Sequence, residues 1–148
     1  MNHTAALTLT VMIVTANFPA LARDERLMFP VEAALSTAAA QGKLDRGVRL
    51  YFGDQKHPKT VANLGEWATN KKTNAFNKSD REACEWVFLS AVLELQERAR
   101  KQGGDAVINI KSNYKNTETV SSTEYMCGAG SIMAGVALKG TVVKLGAK

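Results

Sequence analysis

The longest stretch of regular apolar spacing runs from Cys84 to Ala99. Cys84, Val87, Phe88, Ala91, Leu95 and Ala99 recur at helical intervals, and Trp86, Leu89, Val92 and Leu93 widen the stripe. Just before it, Ser79-Asp80-Arg81-Glu82 has the form of a capping box, with serine at the N-cap and glutamate three residues on. Acids occupy the first turns (Asp80, Glu82, Glu85) and bases the last (Arg98, Arg100, Lys101), as the helix dipole favours. Gly103-Gly104 ends the run. This pattern predicts the central core helix.

Weaker patterns surround it. Arg23 to Arg26 is charged and reads as a loose segment. Pro30 opens a helical run over Val31 to Gln41, with proline in the favoured first turn, and Gly42 closes it. Val48 to Phe52 reads as a short strand. After the polar loop Gly53 to Thr60, Leu64 to Thr73 reads as a second strand, paired with the first as a long-looped hairpin. Asp105 to Tyr114 is strand-like, with Ala106, Ile108 and Ile110 alternating inward. Asn116 to Thr119 is a turn. Val120 to Cys127 follows as a strand with Thr123, Tyr125 and Cys127 on one face, then the small-residue stretch GAGSIMAG, Gly128 to Gly135. Val136 to Leu145 is the last strand, with Val136, Leu138 and Val142 together. The pattern predicts an α+β fold. A mainly antiparallel sheet of four to five strands would pack on one long central helix, with a short helix near the N-terminus.

The N-terminal residues read as an export signal. Ala5 to Val14 is an apolar run too short to span a bilayer. Pro19 follows, then Ala20-Leu21-Ala22 in the small-x-small cleavage pattern. The expected organisation is a signal peptide over residues 1–22 and a single periplasmic or secreted domain over 23–148. The first four residues, MNHT, lack the usual lysine or arginine, and an N-terminal amphipathic or buried helix is the competing reading.

Charge adds a location. The chain carries a net +5, and between Lys43 and Arg81 nine lysines and arginines face four acids, an excess equal to the whole net charge. Such a region attracts phosphate, nucleic acid, acidic glycan or lipid headgroups, or simply keeps a surface solvated. Within it lies TNKKTNAFNKSD, residues 69 to 80. Its asparagines suit left-handed turns, and it leads into a helix N-terminus, where free amides favour anions. Lys71, Lys72, Asn74, Asn77 and Lys78 are therefore the candidate ligand-binding residues. The plainer reading is a polar turn with lysines guarding a strand edge.

Candidate chemistry is sparse. After residue 22 the chain holds one histidine, His57, and two cysteines, Cys84 and Cys127. In an exported domain two cysteines point to one disulfide, here between helix stripe and inward strand face. Two buried thiols, or a reactive Cys84 at the helix start, are the alternatives. His57 has no nucleophile beside it in sequence, and one histidine with two cysteines does not supply a zinc site. GAGSIMAG lacks the GK[ST] of a phosphate loop, and small residues there suit close backbone approach. The pattern nominates no catalytic residue, metal or cofactor.

Four stretches, LYFGDQKHP, NKKTNAFNKSDREACEW, LQERARKQGGDAVINIKSNYK and EYMCGAGSIMAGVALKG, resemble a family of small exported proteins of Gram-negative bacteria. Members are often labelled "excinuclease ATPase subunit". This chain argues against that label, having no Walker motif and no zinc-finger cysteines. The helix–GGDAVINI–strand segment is more distantly similar to YbjQ-type and RcsF-type small α/β domains, the latter a disulfide-bonded envelope-stress sensor. The likeness implies a fold and not a function. Three readings follow. The first is a non-enzymatic domain that binds an anionic envelope component or an acidic protein. The second is a small hydrolase-type enzyme using carboxylates or Lys72 in a cleft. The third is a cytosolic nucleic-acid protein, for which the basic region lacks stacking aromatics beyond Phe76.

Overall fold

The computed structural model describes residues 22–147, so the expected signal segment, save Ala22, lies outside the described residues. The elements run β1 (Glu25–Pro30), α1 (Val31–Leu35), α2 (Ala38–Lys43), β2 (Arg49–Phe52), β3 (Thr60–Asn74), α3 (Asp80–Lys101), β4 (Ala106–Tyr114), β5 (Thr117–Thr119), β6 (Glu124–Ala129) and β7 (Met133–Leu145). The class is α+β. The sheet is larger than expected and mixed, with seven strands rather than four or five. Its one parallel pairing is β2 with β4; the others are antiparallel.

β7 is the organising strand. β3 pairs along its whole length, from Thr60↔Leu145 to Asn74↔Met133. On its other side β4 takes the C-terminal half and β6 the first residues, Ala134 and Gly135. β6 then carries β1, and β4 carries β2 and β5. The expected hairpin of β2 and β3 is therefore not formed. β7 and β4 stand between them, and residues 53–59 carry the chain back across, ending where the amide of Gly146 donates to Lys59 O at 2.8 Å.

The helices cover one face. α3 begins as its capping box predicts, with Ser79 Oγ accepting from the Glu82 amide at 3.1 Å. It ends at Gln102, after which Gly103 turns left-handed (φ 75°) and the Gly104 amide reaches back to Ala99 O. Val87, Phe88, Ala91, Val92, Leu95 and Ala99 are wholly buried, against Ile110, Val136, Leu138 and Val142 of the sheet. Trp86 departs from the expected stripe. It is half exposed, with the Lys43 ammonium 4.6 Å above its ring. The single helix expected over Val31 to Gln41 is two short ones. Thr37 breaks it, because its hydroxyl accepts the Ala40 amide and caps a new helix start.

Two further departures have local causes. Glu25 and Arg26, the end of the segment read as loose, open β1, which lays Leu27 and Phe29 beside Cys127 and Tyr125. In β4 the expected alternation fails at Asn109, whose φ of 51° makes a bulge. Val107 and Ile110 both enter the main core, while Ala106 and Ile108 join Val143 and Leu145 in a small cluster on the opposite face. Gln96, buried in α3, accepts from the Asp45 amide and donates to Asp45 O and Val48 O, all within 2.9 Å. It anchors the turn that leads into β2.

Candidate functional site

Cys84 and Cys127 are bonded, with Cα atoms 5.9 Å apart and both residues 0% exposed. Of the three readings of this pair, the structural bridge is the one formed. It joins the first turns of α3 to β6. Beside it the ring of Tyr125 stacks on Phe88. The Tyr125 hydroxyl is buried with no hydrogen-bond partner among the described residues, and burial, followed by the charge of Glu85, raises its pKa well above the phenol range.

The five nominated binding residues do not converge. They lie on and after β3, the free edge of the sheet. Lys71 faces α3 and pairs with Glu94 at 2.6 Å. Lys72 points to the opposite face, where it lines a shallow hollow of about 730 Å³ with Tyr114, Ile132 and Met133. Asn74 spends its side chain on the Phe76 amide (2.7 Å), an Asx turn. Asn77 is left-handed (φ 59°), as turn asparagines can be. Lys78 Nζ donates to Asn74 O at 3.0 Å. The loop is thus closed by its own groups. The start of α3 is similarly served, by Ser79 Oγ and by the Asp80 carboxylate, which Arg23 Nη1 contacts at 3.0 Å. Two positions on the free edge, Lys71 and Lys72, fit the guarding role equally well.

The GAGSIMAG stretch is the β6–β7 hairpin. Gly128 pairs with Gly135, and the Gly130 amide donates to Met133 O at 2.9 Å, so Ser131 and Ile132 form the tip. Gly128 has a packing reason: a Cβ there would fall 1.9 Å from the Tyr114 hydroxyl. Tyr114 donates to Asp24 at 3.0 Å, and Lys115 pairs with the same carboxylate. These contacts hold down the segment that precedes β1.

The His57 ring packs against that of Tyr51, centroids 5.5 Å apart and planes tilted by 60°, and its Nδ1 bonds Pro58 O at 2.8 Å. A carboxylate serving as general acid is held protonated and a lysine serving as general base is held neutral. The shifts found belong to surface ion pairs. Asp24, Glu25, Asp80, Glu97 and Glu118 are lowered, each chiefly by a hydrogen-bonded cation, and Lys115 and Lys139 are raised by their carboxylate partners. Among the described residues there is no group of three or more metal-ligating side chains. No helix of the described residues is long and apolar enough to cross a membrane.

The ion pairs sort the cations. Arg23, Arg49, Lys71, Lys101, Lys111, Lys115 and Lys139 have carboxylate partners. Among the described residues the other eleven have none, and three of these, Lys72, Lys78 and Arg81, stand around the β3–α3 loop. Arg81 escaped the sequence reading because it sits inside the capping box, where it reads as a spacer. Ile132 and Met133 escaped it because small residues surround them. Two bulky apolar residues at a glycine-flanked turn were the available signal. No family model, curated protein or solved structure matches the chain.

Proposed function

We propose that this is an exported, disulfide-stapled domain that binds an anionic component of the cell envelope without chemistry. The observation that carries the reading is the set of unpaired cations around the β3–α3 loop, Lys72, Lys78 and Arg81; among the other described lysines and arginines seven are ion-paired, Arg26, Lys43 and Arg98 lie over aromatic rings, and Arg46, Lys56, Lys59, Arg100 and Lys144 lie outside that loop. Free cations on both sides of one edge raise the local concentration of an anionic partner there, most strongly at low salt. Two other features support the reading. A buried disulfide suits an oxidising compartment. The resemblance to small exported proteins points the same way.

The test is retention of the purified protein on immobilised dextran sulfate, a soluble polyanion, across a salt series. The triple variant K72A/K78A/R81A binds more weakly and with a shallower salt dependence. Retention that ignores both salt and the substitutions contradicts the proposal.

A further inference from the structure

Three of the seven exposed large apolar side chains lie at this same end. Phe76 is 63% exposed, Ile132 66% and Met133 48%. They come from two turns that the fold locks together. The Ala75 amide donates to Ile132 O at 2.7 Å, and Asn74 pairs with Met133 at the last rung of β3 and β7. Each turn is closed internally, by Asn74 on the Phe76 amide and by Gly130 on Met133 O. The three side chains are therefore presented by a rigid edge. Turn tips ordinarily carry Gly, Asn, Asp or Ser, so phenylalanine and isoleucine here cost exposure that the fold does not recover.

The cations flank this edge on both sides. Lys72 lines the hollow it shares with Ile132 and Met133, on the open sheet face. Lys78 and Arg81 line a second hollow along the first turns of α3. Of the nearby carboxylates, Asp24 is paired with Lys115 and Asp80 with Arg23, while Glu82 and Glu85 line the second hollow beside Lys78 and Arg81 without an ion-pair partner among the described residues. A polyanionic glycan or an acidic protein face would be met by the charges alone. A bilayer surface is met by both, since headgroups take the cations and the acyl boundary takes the apolar tips.

We infer that this end seats on an anionic lipid surface, with Phe76, Ile132 and Met133 entering the headgroup–acyl boundary while Lys72, Lys78 and Arg81 contact headgroup phosphates. The inference rests on the proposed anionic binding and names its partner class. Lysine and arginine stems can lie along the apolar edge and keep their charges at the headgroups. Two weak signals, one apolar and one electrostatic, are the usual requirement for stable association with a membrane surface.

The experiment is co-sedimentation of the purified protein with vesicles of phosphatidylcholine alone and of phosphatidylcholine with phosphatidylglycerol. Retention on dextran sulfate serves as the lipid-free arm. F76S/I132S removes the tips, K72A/K78A/R81A removes the charges, and V120S removes an apolar side chain that is 66% exposed elsewhere. All these positions are on the surface, and unchanged thermal unfolding confirms that the variants fold. The expected result is binding to the anionic vesicles only. F76S/I132S lowers it by about ten- to a hundredfold and leaves dextran sulfate retention intact. The charge variant loses both, and V120S changes neither. If F76S/I132S sediments with anionic vesicles as the unsubstituted protein does, insertion is wrong while anionic binding stands. If the charge variant also binds both supports normally, the proposed function falls with it.

Discussion

The ring of Tyr125 stacks on that of Phe88, centroids 3.9 Å apart and planes 16° from parallel. The contact lies one turn along α3 and two residues along β6 from the Cys84–Cys127 bond. Bridge and stack are thus successive ties between the same helix and the same strand. The bridge restrains the unfolded chain as well, because it closes a loop with a sequence separation of 43. The chain-entropy model assigns about 4 kcal/mol to a loop of that size. C84A/C127A is expected to lose most of that in urea unfolding, with the stack preserving a native-like near-ultraviolet signal. Because both sulfurs are buried, reductant acts on the folded protein only as fast as it opens. A bridge reduced quickly under native conditions would contradict this placement.

The Tyr125 hydroxyl is the unpaid part of the stack. A buried hydroxyl without a partner costs about 1–3 kcal/mol of desolvation. Tyr125→Phe keeps the ring and removes that cost, so stability is expected to rise by about 1 kcal/mol. The pH dependence follows with a definite sign. An unfolded tyrosine ionises near pH 10, whereas burial, then Glu85, holds the folded one higher. The Tyr125 contribution is complete below about pH 10 and is lost as pH rises towards the folded pKa. Tyr125→Phe should flatten the alkaline limb of a stability–pH curve, and an equally steep limb in the variant would refute the assignment.

Gln96 gives the opposite expectation. It is buried and makes three hydrogen bonds to Asp45 and Val48. Gln96→Ala leaves backbone groups of that turn without partners and opens a cavity. The expected loss is about 2–4 kcal/mol, read from denaturant midpoints. A change within experimental error would mean that the turn satisfies itself another way.

The N-terminal ties should loosen in acid. Hydrogen bonds from Lys115, then Tyr114, hold Asp24 low, and Arg23 holds Glu25 and Asp80 low. Carboxylates with lowered folded pKa contribute above their free values, near pH 4, and the contribution is lost as pH falls through the folded values. These groups are exposed, so the effect is local and modest. Amide exchange at Leu27 and Phe29 is expected to quicken below about pH 4 while that of Val87 and Leu95 stays slow. Uniform protection down to complete unfolding would show that the ties carry no weight.

How much of this was legible depended on the range of the forces involved. The α3 helix could be read because its cap, charge gradient and apolar stripe are local and agree with one another. The inner face of β7 was readable for the same reason. β1 was hidden because Arg23 and Asp24 precede it and Glu25 and Arg26 open it, and only pairing with β6 reveals Leu27 and Phe29 as packed against the core. The parallel pairing of β2 with β4 is set by strands distant in sequence. The bulge at Asn109 leaves no mark beyond a residue type that tolerates positive φ. At the candidate site, charge was visible in sequence, but the partners that cancel it were not. Lys71 looked equivalent to Lys72 until Glu94 came alongside.

Export and the bridge underlie the whole account, and one measurement reads both. Protein recovered separately from periplasmic and cytosolic fractions is unfolded in denaturant, alkylated with and without prior reduction, and weighed intact. The account predicts a periplasmic species beginning at Arg23 that takes up alkylating agent at Cys84 and Cys127 only after reduction. A full-length cytosolic species alkylated at both cysteines without reduction would contradict it.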